Sequence, residues 1–578
     1  MGQGPLALRN DLVDQIDRET EAFATQIQEL AATECVVLSN RPDSSDDDFG
    51  IFTIVEHLDR LDAERRALLT LRNSHQPANR LPPELLADVF DRYEDPDDDS
   101  SLPWRRLRLV CRHWNELILA TPMLWRTIVI APKATAWLDL CLRHSCEATV
   151  DVHFRCNGVA NLAVRHLFPH AHRLRSLRLG HGYRRKQLIL MLRKLFGKRD
   201  LPVLEVLQCS VARNRYGKID LKLSSQRCPH IQNLSLGNIH LPLETYSILC
   251  NLRELSLTKC STDLTFDQFL AALASCPCLE DIYLSGFLKD ILLRRGSSST
   301  PFAPRKVPIV LAHLHDIHIT DDPPSAILAL LQALHLPSKI RAILSGRIEW
   351  DDDIEMAGGL TSFLPSHPLR LAALPVLACS AITRATVDVF GKFEISAGAI
   401  PYDISPDLEF ALYSPGRTDL DHLLPLAFRN LIDILSAAPL QKLTVIGEQD
   451  ALSVADWIDA LTAFPLLESI STISGSSVSS LWVALKWGLG DTAAAADAPM
   501  LCPNLSYVDH QGCVLATHAL YGDILDSLRE RRARGASLAT LVLSPFHETW
   551  EIYDAMNTTY RPQLQALVGE VHFGGNRC

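Results

Sequence analysis

A spaced leucine pattern recurs over most of the chain beyond residue 170, and it constrains the fold more than any other feature. The first copy, LRSLRL over residues 174–179, places apolar side chains at positions one, four and six. The next five copies begin 30, 27, 21, 27 and 35 residues after the copy before, so the period is irregular. The copies are Leu174/Leu177/Leu179, Leu204/Leu207/Cys209, Ile231/Leu234/Leu236, Leu252/Leu255/Leu257, Leu279/Ile282/Leu284, Leu314/Ile317/Ile319, Leu440/Leu443/Val445, Leu467/Ile470, Leu505/Val508 and Leu538/Leu541/Leu543.

Each copy predicts one short strand, because positions four and six then share one face and the residue between them points to the other. Helical patterns, such as Leu188–Phe196 and Phe266–Leu273, separate the copies. A strand–helix unit of this size cannot bury its own apolar face and must stack on its neighbours. The pattern resembles leucine-rich repeats, which implies a solenoid with a parallel sheet on the concave side. We expect the alternating segment Cys146–Phe154 to begin this sheet.

Residues 346–425 interrupt the pattern. Prolines, the pair Gly358-Gly359 and the acidic cluster Glu349–Asp353 break its period. The alternating run Ala385–Phe390 predicts a strand, and Pro425–Leu435 predicts a helix with proline in its first turn. The interruption fits either two degenerate repeats or an inserted loop, and we favour degenerate repeats that keep the sheet continuous.

A second constrained stretch is Leu81–Ile130, which predicts short helices on both sides of an acidic loop. Leu81-Pro82-Pro83 places prolines in a first helical turn, where the missing N–H is harmless. Thr121-Pro122 is typical of an N-cap followed by the first helical residue. The first helix carries Leu85, Leu86, Val89, Phe90 and Tyr93, and the second carries Leu107, Val110, Cys111, Trp114, Leu117 and Ile118. Fifty residues cannot bury so many apolar side chains among themselves, so some must be covered by other parts of the chain or by another protein.

The order L-P-P-E-L-L, then Phe, then L-R-L-V-C-R-x-W, then T-P-x-L-W resembles an F-box. This family of helical modules docks on the Skp adaptor of cullin-based ubiquitin ligases. The loop Glu94–Leu102 departs from the family by being longer than most, and the pairing of the two helices is less determined for that reason. The resemblance implies that an Skp adaptor would be bound by Leu81, Pro82, Leu85, Leu86, Phe90, Val110 and Trp114.

Residues 1–79 show two helical stripes, the first from Leu12 to Leu30 and the second from Ile51 to Leu71. A polar stretch beginning at Asn40 separates them. An antiparallel hairpin would bury the stripes against each other. A coiled-coil dimerisation arm is the other interpretation, but neither stripe sustains three clean heptads, so we favour the hairpin.

Composition excludes several classes of protein. The net charge of −12 argues against a general nucleic-acid or anionic-membrane partner, since phosphate attraction needs a positive field. No apolar run reaches the length of a membrane span, and no signal-peptide pattern opens the chain. Fifteen cysteines in such a chain are not a disulfide framework. We therefore expect a cytoplasmic or nuclear protein.

No motif predicts catalysis, a cofactor or a metal. Cys228, Cys250, Cys276 and Cys502 occur one per repeat, as small core residues would, whereas zinc sites need close Cys pairs. The segment beginning at His547 starts like a zinc-protease helix but lacks the second histidine. We find no nucleophile elbow, phosphate-binding loop or dinucleotide fingerprint. An enzyme would need a clustered nucleophile and base, and the sequence shows none.

One basic stretch stands out in this acidic chain. Residues Arg173–Arg199 include ten Lys or Arg and no Asp or Glu. A solvated helix with its flanks is the simplest interpretation. A surface that captures an acidic or phosphorylated peptide is the second, because guanidinium groups bind phosphate in pairs of hydrogen bonds. Nucleic acid comes third, because aromatic residues are not interleaved at stacking density.

Together these patterns predict an α/β chain with three parts. Residues 1–79 form a helical hairpin or coiled-coil arm, residues 80–130 a three-helix F-box, and residues 131–578 an irregular leucine-rich-repeat solenoid, degenerate at 346–425. The expected function is the substrate-recognition subunit of an SCF-type ubiquitin ligase, bound through Skp to cullin. A repeat scaffold not coupled to ubiquitination is the alternative. The candidate substrate surface, facing outward between inward leucines, is Arg178, Tyr283 and His318.

Overall fold

Helices and strands alternate along the chain in a mixed α/β architecture. The computed structural model divides into two compact units, Met1–Arg178 and Leu179–Cys578. It describes residues 25, 48–93, 104–130, 135–154, 165–183, 192, 195–197, 200–211, 219–293, 308–348, 358–366, 369–378, 382–390, 392–398, 407–413, 420–487, 500–512, 517–544 and 550–573.

The first unit begins with helices. The helix Asp48–His75 carries the stripe predicted from Ile51 to Leu71, and ion pairs at i,i+4 spacing such as Arg66–Asp62 lie along its surface. The earlier stripe at residues 12–30, apart from residue 25, and the acidic loop at 94–101 lie outside the described residues, so the hairpin stays a prediction. The α-helices are α1 (Asp48–His75), α2 (Pro83–Asp91), α3 (Trp104–Leu107), α4 (Arg112–Ala120) and α5 (Thr135–His144), and the 3-10 helices are Pro77–Arg80, Pro122–Trp125 and Phe168–Arg173.

The second helix of the stretch Leu81–Ile130 differs from the sequence prediction, which placed one helix over Leu107–Ile118. The structure has α3, a turn and then α4, because Cys111 is extended (φ −157°) at the N-cap of α4. Val110 consequently lies in the turn, and its N–H donates to the carbonyl of Leu107. Thr121 does precede a helix as expected, but its hydroxyl donates to the Leu117 carbonyl (2.7 Å) and does not cap the following turn.

Two parallel strands follow, β1 (Thr127–Ile130) and β2 (Val150–Phe154). The prediction that Cys146–Phe154 begins the sheet is wrong in two respects. Strand β1 precedes it, and residues 146–149 form the turn that follows α5, with Cys146 itself in the left-handed region at φ 46°. Residues in both strands alternate between buried and half-buried positions, as the period of two requires. The boundary between the units falls within β3 (Leu174–Tyr183).

The second unit contains a long sheet whose neighbours mostly follow chain order. A strand lies at every leucine-pattern copy from Leu204 onward, beginning two residues after position one. From β4 onward the order of neighbouring strands is β4 (Val206–Val211), β6 (Asn233–Gly237), β8 (Glu254–Thr258), β10 (Asp281–Ser285), β12 (Asp316–Asp322), β14 (Arg341–Arg347), β17 (Leu408–Tyr413), β16 (Phe393–Gly398), β15 (Arg384–Asp388), β18 (Lys442–Ile446), β19 (Ser469–Ile473), β20 (Tyr507–Gln511), β21 (Thr540–Ser544) and β22 (Glu570–Phe573). The small strands are β5 (Ile219–Asp220), β7 (Ile239–Leu241), β9 (Ser261–Thr262), β11 (Ile309–Val310) and β13 (Leu334–His335).

One face of this sheet is apolar and covered by helices. Position-four and position-six residues, such as Leu255 and Ile319 respectively, are buried, and the helix Pro324–Ala333 packs against β12 and β14. Thr265 and Ser453 begin two of the helices with capping boxes. The α-helices are α6 (Phe266–Ala274), α7 (Leu288–Leu293), α8 (Pro324–Ala333), α9 (Leu369–Ala373), α10 (Leu424–Leu435), α11 (Val454–Ala463), α12 (Ser479–Trp487), α13 (His518–Ala533) and α14 (Trp550–Gln565), and the 3-10 helices are Leu243–Asn251, Gly359–Phe363, Pro375–Ala378, Asp421–Leu423 and Gln449–Ala451.

The interrupted region 346–425 keeps the sheet continuous, as expected, but it reverses the strand order. Strand β14 pairs with β17, and β15 pairs with β18. The three strands thus lie in the sheet in the order β17, β16, β15, the reverse of their order in the chain. Only residues 389–392 separate β15 from β16. A parallel crossover needs about a dozen residues or more, so β16 runs antiparallel to both of its neighbours. The expectation of a wholly parallel sheet is therefore wrong at β16.

Candidate functional site

Helix α2 exposes an apolar face. Leu81, Leu85, Val89 and Tyr93 follow one another at intervals of four residues, which places them on one side of the helix and its flanks. All four side chains are exposed, with Leu85 at 55% of its full accessibility. Water contact at these side chains is unfavourable, and burial of each in a partner would recover free energy.

Three more exposed apolar side chains come from the same domain: Leu109 and Val110 in the turn between α3 and α4, and Met123 in the 3-10 helix after α4. Together with the α2 face they form a set that we call the 81–123 apolar set. Seven of the fourteen large apolar side chains exposed in the described part of the chain belong to it. Exposed apolar side chains concentrated in this way are a common feature of protein-binding surfaces.

The opposite side of α2 is buried in the first unit. Leu86 and Phe90 are each only 2% exposed. The Phe90 ring lies 4.8 Å from the half-buried Trp114 ring, whose indole N–H donates to the side-chain oxygen of Asn79. Trp125 is fully buried, and its indole N–H donates to the Ile118 carbonyl (2.6 Å). These contacts hold α2 and α4 in fixed positions behind the 81–123 apolar set.

The residues predicted to bind an adaptor therefore separate into two groups. Leu81, Pro82, Leu85 and Val110 are exposed, whereas Leu86, Phe90 and Trp114 face inward to different degrees. Their role toward a partner stays a prediction. The sequence reasoning left Val89, Tyr93, Leu109 and Met123 out of the site. For Val89 and Tyr93 the helical phase of Leu81 and Leu85 would have indicated them.

A second surface lies on the face of the long sheet opposite the leucines. Tyr283 on β10 is paired in register with His318 on β12, and their ring centroids are 5.5 Å apart. Both side chains are half-buried, and the pair thus occupies the outward position that the leucine pattern predicts. Arg178, the third predicted residue, is exposed and is the last residue of the first unit, whereas Tyr283 and His318 belong to the second.

Carboxylates surround the Tyr283–His318 pair. The Tyr283 hydroxyl donates to Asp316 (3.5 Å), and Arg341 forms an ion pair with the same carboxylate at 3.3 Å. Burial, followed by the charges of Asp316 and Asp281, raises the pKa of Tyr283, while burial lowers the pKa of His318. His318 is therefore neutral at physiological pH, and the local charge comes from the carboxylates. Position three of the leucine pattern holds Asp281 and Asp316, which alternation would have placed on this face.

The basic stretch at 173–199 is only partly described, since most of residues 184–199 lie outside the structure's described part. Arg173 is 4% exposed and donates to Ser145 Oγ (2.8 Å) and to the carbonyls of Ala148 (2.9 Å) and Leu142 (2.8 Å). Arg175 forms an ion pair with Asp151. These two arginines stabilise the first unit and do not present free guanidinium groups.

The cysteine positions agree with a packing role. Cys228, Cys276 and Cys502 are buried, and Cys250 is half-buried. The Cys502 thiol donates to the carbonyls of Leu461 and Phe464, and burial raises its pKa to about 12. Among the residues that the structure describes, no three His, Cys, Asp or Glu side chains are placed to hold a metal ion. His313 and His315 are exposed.

Residues 78–131 match the F-box-like family. The match contains α2, α3, α4 and the whole 81–123 apolar set, and the chain therefore carries an F-box-like domain. No curated protein matches the chain. Within the described residues, no helix is both long enough and apolar enough to cross a membrane.

Proposed function

We propose that this chain is the substrate-recognition subunit of an SCF-type ubiquitin ligase. The observation that carries the proposal is the 81–123 apolar set, an exposed apolar surface within the F-box-like domain. F-box domains in general bind Skp-type adaptors. Leu81, Leu85 and Val110 would be covered by the adaptor, with Pro82 at the helix start, while Leu86, Phe90 and Trp114 would hold the contact residues in position from behind.

The parts of the chain would then have separate tasks. Residues 1–79 would support the F-box at 80–130 as a helical hairpin. Residues 131–578 would form an irregular leucine-rich-repeat solenoid that holds a target protein in the cytoplasm or nucleus. The recurrence of strands at the leucine copies and the helices between them support this assignment.

The chain itself would perform no chemistry. Through Skp and cullin it would bring a target close to a ubiquitin-charged enzyme and so raise the effective concentration of target lysines. Fully burying one Leu or Val side chain contributes about 1.5–3 kcal/mol, and half-exposed side chains contribute about half as much. Burial of the 81–123 apolar set would thus favour the complex, against the free-energy cost of association.

Co-purification of the full chain with an Skp adaptor tests the proposal. The double variant Leu85→Asp/Val110→Asp should lose capture, because both side chains are more than half exposed and neither supports the core. The matched control is Leu243→Asp/Leu466→Asp, two exposed leucines in the second unit, which should capture the adaptor like the wild type. Folded wild-type protein that captures no adaptor would contradict the proposal.

A repeat scaffold uncoupled from ubiquitination is the second candidate. It is favoured by the small share of the chain, residues 78–131, that the F-box-like match covers. In that case the 81–123 apolar set would contact some other protein. Folded wild-type chain that fails to capture the adaptor but still binds a protein through its sheet would support the scaffold.

A further inference from the structure

The outward face of the long sheet carries an acidic region at the beginning of β8, β10, β12 and β14. Register pairing aligns Glu254 with Asp281, Asp281 with Asp316, and Asp316 with Arg341. The next outward row is Ser256, Tyr283, His318, Ile343 and Glu409. Neighbouring strands are about 4.8 Å apart, so these side chains form one surface, which we call the acidic face.

The charge of the acidic face is clearly negative. Its two rows hold four carboxylates, Glu254, Asp281, Asp316 and Glu409, and one guanidinium, Arg341. With His318 neutral, the net charge of the two rows is −3. Arg347, at the other end of β14, lies outside these rows. A surface with this sign attracts cationic partners and repels anionic ones.

The carboxylates are only partly satisfied by the residues that the structure describes. Glu254 accepts from the Asn233 amide (2.7 Å), and Asp316 Oδ2 pairs with Arg341 (3.3 Å). The second oxygen of Asp316 is buried and accepts no hydrogen bond, and the Asp281 side chain has no hydrogen bond or ion pair within the described chain. Polar atoms in such positions gain free energy when a donor reaches them.

Repulsion between neighbouring carboxylates also favours binding of a cation at the acidic face. Burial raises the pKa of Asp281, and the carboxylates of Asp316, Glu254 and Glu280 raise it further. Glu280 itself is paired with Arg253 (3.1 Å), at the edge of the acidic face. The remaining repulsion is relieved when a cation approaches Asp281.

An aromatic ring adds the second component of cation recognition. Tyr283 lies one outward position beyond Asp281 on the same strand, and its hydroxyl donates to the Asp316 carboxylate on the next strand (3.5 Å). Lysine and arginine side chains bind well where an aromatic face and carboxylates converge, through cation–π attraction and charge-assisted hydrogen bonds.

We propose that the acidic face receives a lysine- or arginine-rich segment of a target protein. The inference deepens the proposed function, because it assigns a chemical class to the segment that the second unit would hold. The proposed target segment has the opposite charge to the acidic or phosphorylated target suggested by the basic stretch at 173–199. In that stretch Arg173 is buried and Arg175 is already paired with Asp151.

Fluorescence anisotropy with purified full-length chain tests the inference. The probes are a labelled peptide rich in lysine and arginine, a peptide of equal length rich in glutamate and phosphoserine, and a neutral one. The wild type should bind the cationic peptide, more weakly as salt is raised. The variant Glu254→Gln/Asp281→Asn/Asp316→Asn should bind it about tenfold more weakly, the combined effect expected for three surface charge pairs.

The control variant Asp450→Asn/Asp459→Asn/Glu468→Gln removes the same net charge outside the acidic face and should bind like the wild type. Thermal melts verify that each variant is folded. If the triple variant fails to fold, Asp281→Asn alone serves, since its carboxylate accepts no hydrogen bond from the residues that the structure describes, and a loss of about two- to threefold is expected.

Binding of the acidic peptide, no binding of the cationic peptide, or equal affinity in the triple variant and the control would each overturn the inference. None of these assays contains an Skp adaptor. A chain that captures the adaptor but ignores the cationic peptide therefore refutes this inference alone, whereas the opposite result refutes the ligase proposal alone.

Discussion

The indole N–H of Trp114 donates to the side-chain oxygen of Asn79, thirty-five residues earlier in the chain. This hydrogen bond ties α4 to the segment that leads into α2. Since Trp114 also packs on Phe90, one side chain connects both helices behind the 81–123 apolar set.

We expect Asn79→Ala to destabilise the first unit by about 1 kcal/mol, the usual cost of losing one hydrogen bond. Trp114→Ala also removes the ring contact and should cost about 2–4 kcal/mol and abolish adaptor capture. Urea unfolding followed by tryptophan fluorescence and circular dichroism measures both changes. Equal stability of wild type and Trp114→Ala would show that the indole holds nothing in place.

Two adjacent leucines on α2 should behave differently. Leu86 is 2% exposed, so Leu86→Ala leaves a cavity and should cost about 2–4 kcal/mol. Leu85 is 55% exposed, so Leu85→Ala should change stability by less than about 0.5 kcal/mol while it weakens adaptor capture. Thermal melts and co-purification on the same samples separate the two effects. A large loss of stability in Leu85→Ala would contradict the assigned orientation of α2.

His510 should make stability depend on pH. It is buried on β20, where the Trp482 indole N–H donates to its Nε2 (2.9 Å) and Thr472 Oγ1 contacts its Nδ1 (2.6 Å). The ring is therefore neutral, and burial lowers its pKa to about 3. Below pH 6.5 the unfolded chain binds a proton that the folded chain does not, so stability falls as the pH falls. The expected loss is about 2 kcal/mol between pH 6.5 and pH 5.

Urea titrations at several pH values measure this loss. In His510→Gln the group is gone, so this part of the pH dependence should disappear even though the variant is less stable at every pH. His572→Gln, which removes an exposed histidine on β22, should keep the wild-type slope. Identical slopes in wild type and His510→Gln would refute the prediction.

Asp322, on strand β12, accepts hydrogen bonds from backbone N–H groups at the start of helix α7. Its carboxylate is fully buried and accepts the backbone N–H groups of Phe287 (3.1 Å) and Lys289 (3.0 Å). Asp322→Ala removes the acceptor of the buried Phe287 N–H and of the part-buried Lys289 N–H and should cost about 1–3 kcal/mol. Asp459→Ala, on the exposed side of α11, provides the comparison and should change stability little. Hydrogen exchange at Phe287 and Lys289 should rise in the Asp322 variant only.

The strands were predictable because the leucine pattern combines alternation with spacing. Leu255, Ile282 and Ile317 must share a face, and the structure buries all three. The α-helices over 266–274 and 424–435 were predictable for similar reasons, from apolar periodicity and proline position.

Other features depend on information that a linear pattern does not carry. The apolar residues around Cys111 recur at a helical period, yet the extended backbone at Cys111 divides the segment into two helices. The period therefore indicated which side chains pack inward but did not predict the turn. The reversed order of β15, β16 and β17 follows from loop lengths and from pairing partners far away in the chain. Likewise, Asp281 and Asp316 become a shared surface only when β10 and β12 are placed in register.

The reversed strands also affect how the second unit can fold. Strands β15, β16 and β17 pair with close neighbours in sequence, whereas joining β14 to β17 closes a loop over residues 348–407. Local pairings form with less loss of chain entropy than distant ones. The three strands can therefore assemble first as a meander. The sheet up to β14 then pairs with β17 on one side of this meander, and the sheet from β18 onward pairs with β15 on the other. A chain cut within residues 348–383 would thus leave two fragments with complementary edges, able to reassemble when mixed.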